Sequence, residues 1–215
     1  MSDAPPEPLS GLESVKTCTL PRGTTLYRIH DGKYHANAFN PCKGQPTRFA
    51  PIFDTNGKCI PSLYAAETFV AAAYETVFHD IPLSTSHLPS SIEYRKISHY
   101  NDAKIELKKE LVLVELFTVP LRKHGVSRMQ LIESSAAHYQ QTAKWAKAFH
   151  DQVSKAQGLV WKSRKDDRAK AYLFFGDRVK SADFIVRSRR TMMPNSTLEE
   201  ALQDAARQGG IRIRF

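Results

Sequence analysis

At 215 residues, with 41% apolar and 25% charged side chains, the chain has the size and composition of one globular domain with a real core. No apolar run approaches the roughly 20 residues that span a bilayer, and the opening MSDAPPEPLSGLESV carries neither a basic nor an apolar signal region, so the expectation is a cytoplasmic protein without membrane contact. A net charge of +9 points to an acidic partner, whether nucleic acid, an acidic protein or a phosphate-bearing small molecule, without choosing among them.

Residues 1–18, with Pro5, Pro6 and Pro8, read as a flexible leader, and a single domain is expected over 19–215. Thr24 to His30 alternates as a strand in which Arg28 shares a face with Leu26 and His30. A tract rich in Asn, Gly and Pro leads to a second short strand at Arg48–Phe53, which Pro51 places at a sheet edge, and then to a turn at Asp54–Lys58. Ser62–Ala65, with Tyr64, reads as a strand end running into a helix from about Glu67, because Val70, Ala73 and Val77 recur at helical spacing and Pro82 closes the segment.

Glu67 in the first helical turn suits the positive end of the dipole. Glu75 lies in the last half, where the dipole disfavours an acid, among the mostly apolar Ala71, Ala72, Tyr74 and Phe78. Its plainest role is a surface carboxylate, as Tyr64 is most simply a half-buried strand aromatic. Two arginines and a tyrosine on three successive strand segments are expected to converge on one cleft.

Residues 83–110 show no clean period and receive no assignment. Leu111–Val119 is the strongest strand, apolar on both faces except at Glu115, which is expected to face solvent or pair with a lysine. Ser134 to Val153 reads as an amphipathic helix with the serines as its cap. Strands are expected at 158–163, 171–175, 184–186 and 211–215, and a helix at 197–207. The order gives an α+β fold. Three cysteines without short paired spacing predict neither a disulfide framework nor a zinc site, and no other metal site is expected.

Taken together and in order, LYRIH, RFAPI, SLYAAETFVAAAYE (Tyr64 eleven residues before Glu75), GLVWKSR and AYLFFGD resemble the RES domain family over roughly residues 24–187. The resemblance implies an ADP-ribosyltransferase-like fold of small mixed and antiparallel sheets flanked by helices, acting on NAD. It implies NAD as a consumed substrate and no resident cofactor, and the chain indeed contains no G-x-G-x-x-G fingerprint. Many members are the toxin of a toxin–antitoxin pair, silenced by an Xre-type partner. Their activities are NAD glycohydrolysis or phosphorolysis and, in some, ADP-ribosyl transfer to a protein.

Carried over by position, the resemblance puts the catalytic acid on Glu75, the arginine on Arg28 with Arg48 as a second basic group, the aromatic on Tyr64 and the serine on Ser163. Arg28, Arg48, Tyr64 and Ser163 would then contact NAD, with Glu75, Arg28 and Ser163 catalytic. The residues alone leave plainer roles open: Arg28 as a strand-edge charge and Ser163 as a turn or cap residue. This chain also departs from the family's glycine-rich, tryptophan-bearing second arginine motif, having only Thr47-Arg48-Phe49. A basic nucleic-acid-binding module ranks below the enzyme, since no helix-turn-helix, zinc-finger or RNP-like motif accompanies the charge.

Overall fold

The computed structural model describes residues 4–84 and 88–215. The chain begins with strands β1 (Thr17–Leu20) and β2 (Thr25–Asp31), the short β3 (Ile52–Phe53) and β4 (Cys59–Ile60), and then β5 (Ser62–Ala66) leading into helix α1 (Phe69–Thr76). There follow β6 (Ser90–Glu93), α2 (Tyr94–Ile97), β7 (Tyr100–Leu107), β8 (Leu111–Glu115), α3 (Thr118–Lys123) and α4 (Arg128–Leu131). The long α5 (Tyr139–Gln152), β9 (Gly158–Lys162), β10 (Lys170–Phe175), β11 (Phe184–Thr191), α6 (Thr197–Gln208) and β12 (Ile211–Arg214) complete the chain.

Eight strands form one sheet in the order β1-β8-β9-β10-β5-β2-β7-β11, antiparallel throughout except for the parallel β8–β9 pair. Strand β2 pairs with β7 along its whole length but touches β5 through the single register pair Tyr27↔Ala66. The sheet is therefore two halves joined at a narrow seam. Gly158 opens β9 where a Cβ would run into the carbonyl oxygen of Leu173 on β10, so only glycine allows the two strands to close.

Alternation along each strand divides the core. On one face Leu26, Leu63, Ala65, Ala103, Ile105 and Phe174 pack together across both halves. On the other face, α5 lays Trp145 and Phe149 against Trp161, Leu173 and Phe175, while α1 and α6 cover Ile29 and Ala66 with Ala71, Ala72, Ala73, Leu198 and Leu202. The alanines of α1 let its backbone approach the sheet closely, and Thr68 caps the helix by accepting the Ala71 N–H at 3.1 Å. The cap sets the helix start two residues later than the periodicity suggested. Glu67 consequently lies outside the first turn, and its carboxylate accepts the Lys170 N–H at 2.9 Å.

Several expectations need correction. The unassigned stretch holds β6, α2 and β7, the last with Ala103, Ile105 and Leu107 buried at alternate positions. Strand β8 stops at Glu115 because Thr118 starts α3, where Pro120 sits in the first turn. Glu115 pairs with Lys16 at 3.5 Å, one of its two expected roles. No serine side chain caps the 3₁₀ turn Ala136–His138 that precedes α5. The expected flexible leader is, from residue 4, laid along α5: Trp145 Nε1 donates to the Pro6 carbonyl at 2.7 Å, and Leu12 is fully buried.

Cys42 and Cys59 form a disulfide, against the expectation drawn from their spacing. The partners meet because β3 and β4 fold back on the 32–51 loop, and a 17-residue separation carries no signature of that contact. Among the described residues no group of three or more His, Cys, Asp and Glu side chains is placed to hold a metal ion. Among the described residues no helix is long and apolar enough to cross a membrane.

Candidate active site

Glu75 ends α1 beside the turn that joins β9 to β10. Its Oε1 accepts two hydrogen bonds, from Ser163 Oγ at 2.6 Å and from the Arg164 backbone N–H at 3.0 Å. Among the described residues Oε2 has no hydrogen-bonding partner. One oxygen thus fixes the carboxylate and the other remains available.

Ser163 is fully buried, and its hydroxyl also accepts the backbone N–H groups of Lys165 and Asp166, at 3.1 and 3.0 Å. That hydroxyl is the hub of the turn. Buried Asp166 steadies it further by pairing with Arg168 at 2.8 Å. The structure therefore places Ser163 behind Glu75, with its hydrogen-bonding capacity used, rather than on a surface a substrate reaches. Its hydroxyl orients the Glu75 carboxylate.

Arg48 and Tyr64 lie on the same side of the sheet. Arg48 is buried, and its guanidinium donates to Ser134 O and Ser134 Oγ, each at 3.1 Å, while stacking over Tyr139 with 5.3 Å to the ring centroid. Thr142 Oγ1 donates to the Arg48 carbonyl, tying this loop to α5. Burial holds the Arg48 guanidinium below its usual range; Tyr139 and Glu75 favour its charge while neighbouring Arg164 opposes it. Tyr64 Oη meets Thr47 Oγ1 at 3.0 Å and accepts the Phe49 N–H at 3.1 Å, so the strand tyrosine anchors the segment on which Arg48 sits. Burial pushes its hydroxyl up to about 12. Phe49 packs edge-on against Trp161 at 5.1 Å, adding a third tether.

Arg28 does not join them. Its register partner is Ala103, and Leu26, two residues away on the same strand face, packs with Leu63 and Ala65. Tyr64 and Ala66 point to the opposite face of β5. The Arg28 guanidinium donates to the carbonyls of Ala36 and Ala38, at 3.0 and 2.7 Å, and burial lowers its pKa to about 10. Of the two arginines and the tyrosine expected to converge, the structure brings Arg48 and Tyr64 together through Thr47 and Phe49, while strand alternation sends Arg28 to the other face of the sheet.

Other residues at this place carried no signal in the sequence. Arg164 donates to the same Ser134 carbonyl as Arg48, at 3.2 Å, which brings two guanidinium groups onto one acceptor. Beside them opens a cleft of about 430 Å³ lined by Arg128, Glu133, Arg164, Lys165 and Asp167. Burial and the Arg164 charge push the Lys165 ammonium below its usual range, partly offset by Glu75 and Asp80. The run Arg164-Lys165-Asp166-Asp167-Arg168 docks on Glu75 and Ser134, a contact that no local pattern announces. Ser134, expected at a helix cap, faces Arg48 instead.

Comparison with known proteins agrees with this geometry in fold. The RES domain family profile matches residues 25–194. No curated protein matches. Among solved structures, a chain of the M. tuberculosis MbcT-MbcA toxin-antitoxin complex superposes with a TM-score of 0.59 at 14% identity, over 86% of this chain and 92% of that one. At that identity the likeness is one of fold, and it fits the mixed, largely antiparallel ADP-ribosyltransferase-like arrangement.

Proposed function

Because the chain belongs to the RES domain family, we propose that it is an NAD-consuming enzyme that cleaves the bond between nicotinamide and ribose, as a glycohydrolase or phosphorylase. The observation that carries this is the state of Glu75: one carboxylate oxygen is fixed by Ser163 and Arg164, and the other is without a partner among the described residues, near buried Arg48.

The chemistry asks for such a group. As the C1′–N bond breaks, its electron pair leaves with nicotinamide and positive charge builds on the ribose, as in glycoside cleavage. Glu75 Oε2 accepts a hydrogen bond from a ribose hydroxyl and stabilises that charge, while Oε1 stays locked so that little reorganisation is needed. Tyr64 holds the Arg48 segment through Thr47 and Phe49, and Arg48, buried against Ser134, adds a fixed positive charge near the anionic part of the substrate. The acceptor oxygen, of water or phosphate, then bonds C1′, and the proton it carried passes to solvent. Arg28 acts at a distance by holding the loop carbonyls of Ala36 and Ala38.

We further propose that the protein is the toxin of a toxin–antitoxin pair, held silent by an inhibitory protein of Xre type. The structural likeness to a chain of a toxin-antitoxin complex supports the role, and the charge of +9 favours an acidic covering partner. Incubating purified protein with NAD and following free nicotinamide tests the activity. Product identity separates hydrolysis from phosphorolysis, and label remaining on added protein would reveal ADP-ribosyl transfer.

A further inference from the structure

The turn between β9 and β10 holds Glu75 with its backbone and leaves its charged side chains pointing elsewhere. We propose that Arg164 and Lys165, backed by Arg128, form the subsite for the diphosphate of the dinucleotide. This rests on the reading of Glu75 as the carboxylate facing the ribose.

The charges in the cleft are unequal in their freedom. Glu133 is already paired with Arg128 at 2.8 Å, so it does not neutralise the other cations. Arg128 is also fixed by the carbonyls of Lys162 and Ser163, at 3.2 and 3.4 Å, and contributes a stationary positive charge rather than new bonds. Arg164 makes one side-chain hydrogen bond, to Ser134 O, which it shares with Arg48. Lys165 Nζ has no hydrogen-bonding or ion-pair partner among the described residues. Arg164 and Lys165 thus line the cleft as donors beside the fixed cation of Arg128, with a fourth positive charge on Arg48 nearby; against them stand the already paired Glu133 and Asp167, and the balance stays positive. An anion relieves that repulsion.

Position assigns the anion. The Arg164 backbone N–H donates to Glu75 Oε1 at 3.0 Å and the Arg164 side chain lines the cleft, so the cleft adjoins the carboxylate. In a dinucleotide the diphosphate likewise begins one ribose away from the glycosidic bond. Arg28, on the other face of the sheet, cannot serve. The backbone of the turn is held by Ser163 Oγ, which leaves the two side chains to rearrange without moving Glu75.

The test uses the full chain and the variants Arg164→Ala and Lys165→Ala, each of which keeps the backbone N–H groups that bind Glu75 and Ser163. Calorimetry with ADP-ribose and with adenosine, at low and high salt, is set beside NAD turnover. The expected result is salt-sensitive ADP-ribose binding that weakens about tenfold or more in each variant, adenosine binding that the substitutions leave unchanged, and a rise in KM for NAD larger than any fall in kcat. Arg164→Lys should recover part of the loss. Wild-type protein that fails to bind ADP-ribose, or variants that bind it as wild type does, overturns the subsite. Binding that follows this pattern without any nicotinamide release would uphold the subsite and sink the proposed reaction. Turnover with unchanged KM in both variants would do the reverse.

Discussion

Ser163 and Glu75, 88 residues apart in sequence, are joined by a 2.6 Å hydrogen bond, and the other oxygen of the carboxylate has no partner among the described residues. The same hydroxyl receives the N–H groups of Lys165 and Asp166, so the bond couples the last turn of α1 to the β9–β10 turn. Replacing Ser163 by alanine orphans those two donors inside the protein. The expected cost is about 1–3 kcal/mol of stability, read from denaturant unfolding, with a fall in kcat smaller than that caused by Glu75→Gln. Cysteine or threonine at this position should rescue better than alanine. A Ser163→Ala enzyme with unchanged stability and turnover would remove the hub from the account.

Tyr64 gives a pH signature. Burial raises its hydroxyl from 10.0 to about 12, so the protonated phenol favours the fold. That contribution is complete below pH 10 and is lost as the pH rises towards 12, because the unfolded chain ionises first. Arg28, lowered to about 10, acts in the opposite sense over the same range, since its buried charge is shed first by the folded state. Comparing wild type with Tyr64→Phe cancels the Arg28 effect. The stability difference between the two should be constant below pH 10 and shrink steadily towards pH 12 in urea melts; a difference independent of pH would contradict the burial of the hydroxyl.

Arg28→Ala should act on stability before chemistry. The guanidinium anchors the Ala36 and Ala38 carbonyls, and charge-assisted bonds of this kind contribute about 1.5–3 kcal/mol. The variant should melt earlier and show a raised KM, with kcat at saturating NAD falling less than in Glu75→Gln. A loss of kcat as large as that of Glu75→Gln, in a variant as stable as wild type, would place Arg28 at the reacting atoms instead.

The Cys42–Cys59 disulfide clips the loop leading to Arg48 onto β4. For a loop of this length the chain-entropy model gives about 3 kcal/mol. Cys42→Ser should lower the unfolding midpoint by up to that equivalent, and a reducing agent should do the same to wild type but leave Cys42→Ser unmoved. Equal sensitivity of both to reductant would show that the effect arises elsewhere.

The elements legible from sequence were those whose pattern is local. Strand β2 alternates; β9 and β10 are apolar runs bounded by turn residues; α6 repeats at helical spacing with Ser196 accepting the Glu199 N–H at 3.2 Å. The ordered set of motifs pointed to the family that the profile match shows. What escaped was non-local. Strand β7 lay hidden because Asn101, Asp102 and Lys104 interrupt its apolar positions, and Asp102 is buried only by virtue of its 2.6 Å pair with Arg190. Sequence also put Arg28 on the same face as Leu26 but could not say which face carries Glu75. The pairing Tyr27↔Ala66 decides that, and it separates Arg28 from the site. Ser134 and Arg164 became visible only as partners of Arg48 and Glu75, since neither sits in a pattern that a single chain reveals.

The measurement that bears most directly on the central claim is nicotinamide release from NAD by the wild type and by Glu75→Gln, at matched thermal stability. The glutamine keeps the shape and presents an amide in place of the charged oxygen. Release by wild type is expected, with a fall of about 10²–10³-fold in kcat for the variant and ADP-ribose still bound. Turnover by Glu75→Gln at the wild-type rate would contradict it.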